Sequence, residues 1–225
     1  MFILGCSSNI QYVKINRFMK LYLSSYRLGD DPQVLVDMVG KNKRAAVIPN
    51  ALDNIEDKEL IREKIRANMD ELINLGFNPE VVDLKKYFGK HNELFGKMSE
   101  FGLIWVRGGN TFILRRAYKQ SGFDKWLLSQ KNNKELVYGG YSAGCCILSP
   151  TLKGLEIVDE PNIVSKGYST DVIWDGLDLI DFIFVPHYKS DHPESVKVDE
   201  TIRYYKKKGM IYKTVRDGEV IVQEI

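Results

Sequence analysis

Ser142 stands in Gly140-Tyr141-Ser142-Ala143-Gly144, a G-x-S-x-G pattern that directly follows the apolar run Leu136-Val137-Tyr138. When a strand turns tightly into a helix, the middle residue of such a pattern sits on a strained backbone. Small neighbours are needed because the chain folds back on itself there. A serine hydroxyl is barely ionised at neutral pH, so it attacks a carbonyl only with a base beside it. His187, which ends the stretch Phe182-Ile183-Phe184-Val185-Pro186-His187, is the best base. A neutral imidazole takes the serine proton and later returns it to a leaving amine. The alternative for His187 carries no chemistry: it closes a strand and bonds a carbonyl. His91 lies in a polar connection, and His192 in Ser190-Asp191-His192-Pro193-Glu194-Ser195 reads as a loop and N-cap before a helix.

The oxyanion formed by such an attack needs backbone N–H donors. Ala143, just after the serine and at the start of the following helix, is the expected first donor. Arg107-Gly108-Gly109-Asn110 offers the second through Gly109, with Gly108 beside it, because glycine lets the backbone approach a substrate. A phosphate-binding turn and an ordinary strand-to-helix connection are the other readings of these glycines, and no phosphate-loop lysine follows them. Cys145 and Cys146 flank the serine turn without occupying its centre and read as small buried hydrophobes.

Several elements must position these residues. Residues 2–6 read as a short buried strand, and 10–28 carry helical periodicity with Asn9 as N-cap. Residues 44–50 are a second buried strand. A helix over 56–75 is the clearest, with Leu60, Ile61, Ile65, Met69, Leu72 and Ile73 on one face and Gly76 stopping it. Strands follow at 79–84, 102–107, 134–140 and 182–188, with helices after Asn110 and over 194–208. The tail from Met210 reads as a hairpin turning at Asp217-Gly218. Alternating strands and helices imply an α/β three-layer sandwich, a mostly parallel central sheet with helices on both faces. Ligands in such sheets bind beyond the carboxyl ends of the strands. The Gly108-Gly109 turn, the serine turn and His187 all occupy such ends.

The chain has 225 residues, enough for one sizeable core, and no linker or repeat interrupts it, so 1–225 is expected to be a single domain. Net charge is +2 with the signs interspersed, which argues against nucleic acid, and Lys206-Lys207-Lys208 suits the end of a helix. Three cysteines make neither a disulfide framework nor a zinc site. Met1 to Ser8 faintly resembles a lipoprotein box ending at Cys6, but it lacks a basic n-region and a long apolar stretch. No run is long and apolar enough to cross a membrane. A cytoplasmic protein with no metal, no cofactor and no membrane partner is expected, as monomer or homodimer.

"RGGNTF", "GGYSAG" and "PHY", in this order, resemble the dipeptidase E and cyanophycinase family of serine peptidases. The likeness spans most of the chain. It implies a fold related to class I glutamine amidotransferases, with serine in place of the usual cysteine, and an acyl-enzyme mechanism. In the dipeptidase branch the implied reaction is hydrolysis of short peptides beginning with aspartate. Carried over by position, Ser142 is the nucleophile and His187 the base, with Gly109 and Ala143 at the oxyanion. The family's Pro-Glu-Gly turn corresponds to Arg216-Asp217-Gly218, making Asp217 the counterpart that orients the histidine. Glu156 and Asp159 are rival acids, and a Ser-His dyad without an acid is a further option. Asn110, Tyr141 and Tyr188 are candidates to line the substrate pocket. Arg107, Arg115, Arg116 and Lys189 are candidates to meet a substrate carboxylate. Two alternatives stand beside this reading: a cyanophycinase-like hydrolase, and a non-catalytic nucleotide- or ligand-binding α/β domain.

Overall fold

Strands covered on both faces read as unbroken apolar runs, and three such runs build the centre of the main sheet. They are β3 (Arg44–Ile48), β5 (Leu103–Val106) and β6 (Val137–Tyr141). In each, successive side chains point to opposite faces. Ala46 and Ile48 of β3, with Ile104 and Val106 of β5, enter one core; Ala45, Val47, Leu103 and Trp105 enter the other. The computed structural model describes residues 10–13 and 19–225 of the chain. The strand expected over 2–6 and the Asn9 cap lie outside them.

Among the described residues, four more strands join them in a seven-stranded sheet: β1 (Ile10–Val13), β2 (Lys20–Ser24), β4 (Asn78–Val81) and β9 (Val220–Glu224). The order is β1-β9-β2-β6-β5-β3-β4, and every neighbouring pair is parallel except β2–β9. Helices α1 (Gln33–Met38) and α2 (Lys58–Asn74) cover one face through Leu35 and Leu72. On the other face lie α3 (His91–Met98), α4 (Thr111–Ser121), α5 (Phe123–Ser129) and the short α6 (Ala143–Cys146). The ends of α2 follow from its sequence: the Asp57 carboxylate accepts from the N–H groups of Glu59 and Leu60, and Gly76 follows the last turn at φ 83°.

Beside this sheet stands a small one, in which β7 (Ile183–Val185) pairs in parallel with β8 (Tyr212–Thr214). Its apolar residues Ile183 and Val185 pack on Val198, Ile202 and Tyr205 of α7 (Ser195–Lys208).

Two expectations are corrected. Where a helix is expected over 10–28, the described residues 10–13 and 20–24 form the strands β1 and β2, and Leu21, Tyr22 and Leu23 are fully buried between β6 and β9. Short apolar segments carry no decisive period, and here pairing with distant strands outweighs the local pattern. The tail is not a hairpin. Its two strands join different sheets, β8 the small one and β9 the main one, and Asp217-Gly218 turns the chain between them.

Candidate active site

β5 and β6 are parallel neighbours, so their carboxyl ends place Gly108 against Ser142, with Gly109 next along the chain. Ser142 links β6 to α6 at φ 50° and ψ −119°, a conformation that costs a non-glycine residue about 1–3 kcal/mol. Its N–H donates to the Ser24 carbonyl (3.3 Å), and its own carbonyl accepts from the N–H groups of Cys145 (2.8 Å) and Cys146 (2.9 Å). The glycines around it are required by space. A β-carbon at Gly140 or Gly144 would lie 2.5 or 2.4 Å from the Val106 carbonyl oxygen, and one at Gly108 would lie 3.0 Å from the Ser142 β-carbon. Ala143 opens α6, so its N–H has no acceptor inside the helix. Gly109, at φ 146°, has no room for a β-carbon beside the Ala51 carbonyl (2.4 Å).

The small sheet delivers the other half. His187 lies two residues beyond Val185, and Asp217 three beyond its register partner Thr214. The His187 Nδ1–H donates to Asp217 Oδ1 at 2.7 Å. Ser25, which follows β2, ties the pair together: its Oγ accepts the His187 backbone N–H (2.8 Å) and donates to Asp217 Oδ1 (2.7 Å). The Asp217 N–H donates to Ser190 Oγ (2.8 Å). These bonds hold His187 in the left-handed region at φ 59° with 1% of its surface exposed. With Nδ1 taken, Nε2 is the free ring nitrogen, 3.8 Å from Glu194 Oε2. Ser142 and His187 line one cavity, together with Thr111, Cys146, Asp159 and Glu194.

Electrostatics follow from burial. Burial pulls the His187 imidazole below its ordinary value against the opposing charge of Asp217, and His192 pulls it further down. Glu194 is pushed up to about 7, first by burial and then by Asp159, with Lys197 opposing. Burial also raises the Asp159 carboxyl, opposed by hydrogen bonds from Thr111. The Cys145 and Cys146 thiols are raised well above their usual range by burial, which leaves them protonated and packed as small apolar groups.

Of the candidate acids, only Asp217 meets the histidine. Glu156 accepts from the Gly154 N–H in its own turn. Asp159 accepts from the Thr111 N–H (2.8 Å) at the start of α4 and reaches the cavity, but not the imidazole. None of the three expected pocket residues lines the cavity. Asn110 caps α4, accepting from the Ile113 N–H (2.9 Å) and donating to the Glu160 carbonyl. Tyr141 packs in the core of the opposite face and donates to Asn68 Oδ1 (3.1 Å), while Tyr188 packs against the small sheet. The four candidate cations are likewise placed elsewhere. Arg107 donates to Asn68, Arg115 pairs with Asp124 at 3.1 Å, Arg116 donates to the carbonyls of Pro161, Ile163 and Asp171, and Lys189 lies over the Tyr188 ring. Sequence reasoning missed Ser25, Ser190 and Glu194, and set His192 aside. The helix read over 10–28 hid Ser25 at a strand end; the closeness of His192 to His187 in sequence was a usable signal.

The whole arrangement has relatives. Residues 24–224 match the model of peptidase family S51. The chain is 29% identical over 168 residues to an uncharacterized peptidase of Listeria monocytogenes, covering 72% of this chain and 78% of that protein. It is 28% identical over 174 residues to an uncharacterized peptidase of Pasteurella multocida, covering 75% and 77%. An uncharacterized peptidase of Listeria innocua is 37% identical over 110 residues, covering 49% and 50%. In fold, the chain superposes on a crystal structure of a candidate peptidase E from Listeria monocytogenes EGD-e with a TM-score of 0.69 and 23% identity, over 93% of this chain and 99% of that one. Among the described residues no helix is long and apolar enough to cross a membrane. With the match running from the end of β2 through β9, the chain belongs to peptidase family S51.

Proposed function

We propose that the protein is a serine peptidase that hydrolyses short peptides with a free amino terminus, dipeptides beginning with aspartate foremost. The Ser142 Oγ attacks the scissile carbonyl while its proton passes to His187 Nε2. The N–H groups of Ala143 and Gly109, with Gly108 alongside, receive the oxyanion. His187 returns the proton to the leaving amine as the C–N bond breaks, leaving an ester on Ser142. Water, deprotonated by the same imidazole, releases the acid. Asp217 holds the Nδ1–H tautomer and stabilises the imidazolium.

One observation carries this reading: a serine on a left-handed strand-to-helix turn shares a cavity with a histidine whose Nδ1 is bound to a carboxylate at 2.7 Å. The carboxyls of Asp159 and Glu194 in the cavity wall suit an uncapped ammonium end, whose positive charge favours their ionised form against the burial that raises both. The aspartate preference rests on the likeness to peptidase E. The test is a screen of short peptides with and without N-terminal Asp, free or N-acetylated, on wild type and Ser142→Ala. Wild type should cleave free Asp-X dipeptides, and Ser142→Ala should lose roughly 10⁴- to 10⁶-fold in kcat. Near-normal turnover by Ser142→Ala would refute the serine mechanism; preference for acetylated or non-Asp peptides would refute the substrate class alone.

A further inference from the structure

His187, His192 and Glu194 bring ligand-type atoms within 4.8 Å of one another, the usual invitation to a metal ion. The ring geometry declines it. The two imidazoles lie 3.7 Å apart between centroids and only 8° from parallel. A ring nitrogen directs its lone pair within the ring plane, so no single ion lies in the planes of both rings. The arrangement is a stack rather than a chelate.

A stack supplies something the catalytic pair lacks. The hydrogen bond from Nδ1 to Asp217 grips one edge of the His187 ring, and an edge contact resists translation better than tilt. Nε2, on the far side of the ring, is the atom that tilt displaces. His192 covers a face of that ring and is itself anchored. Its Nδ1 accepts the Glu194 N–H (3.2 Å), and its carbonyl accepts the Ser195 N–H (2.9 Å) at the start of α7. Tyr26 meets both rings, at 6.2 Å from His187 and 5.7 Å from His192. We propose that His192 is a positioning residue, whose ring fixes the tilt at which His187 Nε2 serves the Ser142 hydroxyl. This rests on the Ser142–His187 reading above.

A consequence in pH follows. The groups facing His187 are Asp217 at Nδ1, Glu194 near Nε2, His192 on the ring face and the edge of Tyr26. His192 acts on His187 as a like charge when protonated, and its ring shields one face from water; both effects favour neutral His187. Activity needs neutral His187 and is lost as pH falls through its lowered pKa, so the acid limb should lie below about 6.5 in wild type. Removing the His192 ring should move that limb to higher pH.

The experiment uses a fluorophosphonate probe, which reports serine activation without a known substrate. Ser142 Oγ bonds to phosphorus, fluoride leaves, and the serine proton goes to His187. Labelling rates are measured against pH for wild type, His192→Ala and His192→Phe. His192→Ala should label about 10- to 100-fold more slowly, with its acid limb shifted upward. His192→Phe, which restores a flat ring, should recover most of the rate. A wild-type rate and limb in His192→Ala would overturn the proposal, as would a His192→Phe as slow as His192→Ala. Ser142→Ala is the control: labelling there sinks the nucleophile assignment, which is a different failure.

Discussion

Asp217 illustrates how much hangs on a single atom pair. Its carboxylate is bound by both the His187 Nδ1–H and the Ser25 hydroxyl. A neutral amide there would offer an N–H to Nδ1 and select the tautomer with its proton on Nε2, where a base is useless. Asp217→Asn should therefore cut kcat by up to about 10⁴-fold, with the fold retained because the Asp217 N–H still meets Ser190. Glu156→Gln should be silent, since its carboxylate serves only its own turn. Asp159→Asn should act mainly on KM, because Asp159 reaches the cavity but not the histidine. Steady-state kinetics of the three variants sort them; full activity in Asp217→Asn would leave a Ser-His dyad.

At the scale of elements, the serine turn is a collision avoided. β6 reverses into α6 directly against the end of β5, and the crowding falls on the Val106 carbonyl, a backbone atom that cannot move aside. Gly144→Ala should cost about 1–3 kcal/mol from overpacking and should also displace Ser142, so activity falls further than stability. Gly96 in α3 is the contrast, with nothing within 4 Å of an added β-carbon. Gly96→Ala should stabilise by about 0.4–1 kcal/mol and leave turnover unchanged. Thermal melts and activity, measured on both, separate the two kinds of glycine. A Gly144→Ala protein of unchanged stability and activity would mean that the turn is looser than this packing allows.

The whole molecule carries its site at the seam between the large sheet, which supplies Ser142 and Ser25, and the small sheet, which supplies His187 and Asp217. Burial at that seam leaves a signature in stability. Glu194 has its folded-state pKa raised from 4.5 to about 7, so the folded state holds the proton more tightly than the unfolded chain. Its contribution is fully present below about pH 4.5 and is lost as pH rises through about 7. Its side chain is 39% exposed, so solvent screening makes the effect partial. The Tm of wild type should fall between pH 5 and 7 relative to Glu194→Gln, whose profile should be flatter. Parallel profiles for the two proteins would exclude Glu194 as the group responsible.

What the sequence determined by itself is what neighbouring residues decide. The turns at Gly108-Gly109 and at Ser142, the helix capped by Asp57 and stopped by Gly76, and the α/β alternation are written in glycine placement and apolar period, which act over a few residues. Ser142 and His187 could be named on that basis, and a family likeness added Asp217. Tertiary structure decided the rest. Whether an apolar stretch such as 19–24 becomes helix or strand depends on its partners, and those of β2 are β6 and β9, far along the chain. Which sheet each half of the tail joins is set the same way. The bond that joins Ser25 to Asp217 spans 192 positions, and no local pattern encodes a contact between residues so far apart. Only closing the core around both sheets brings that serine, the carboxylate and the imidazole into one set of hydrogen bonds.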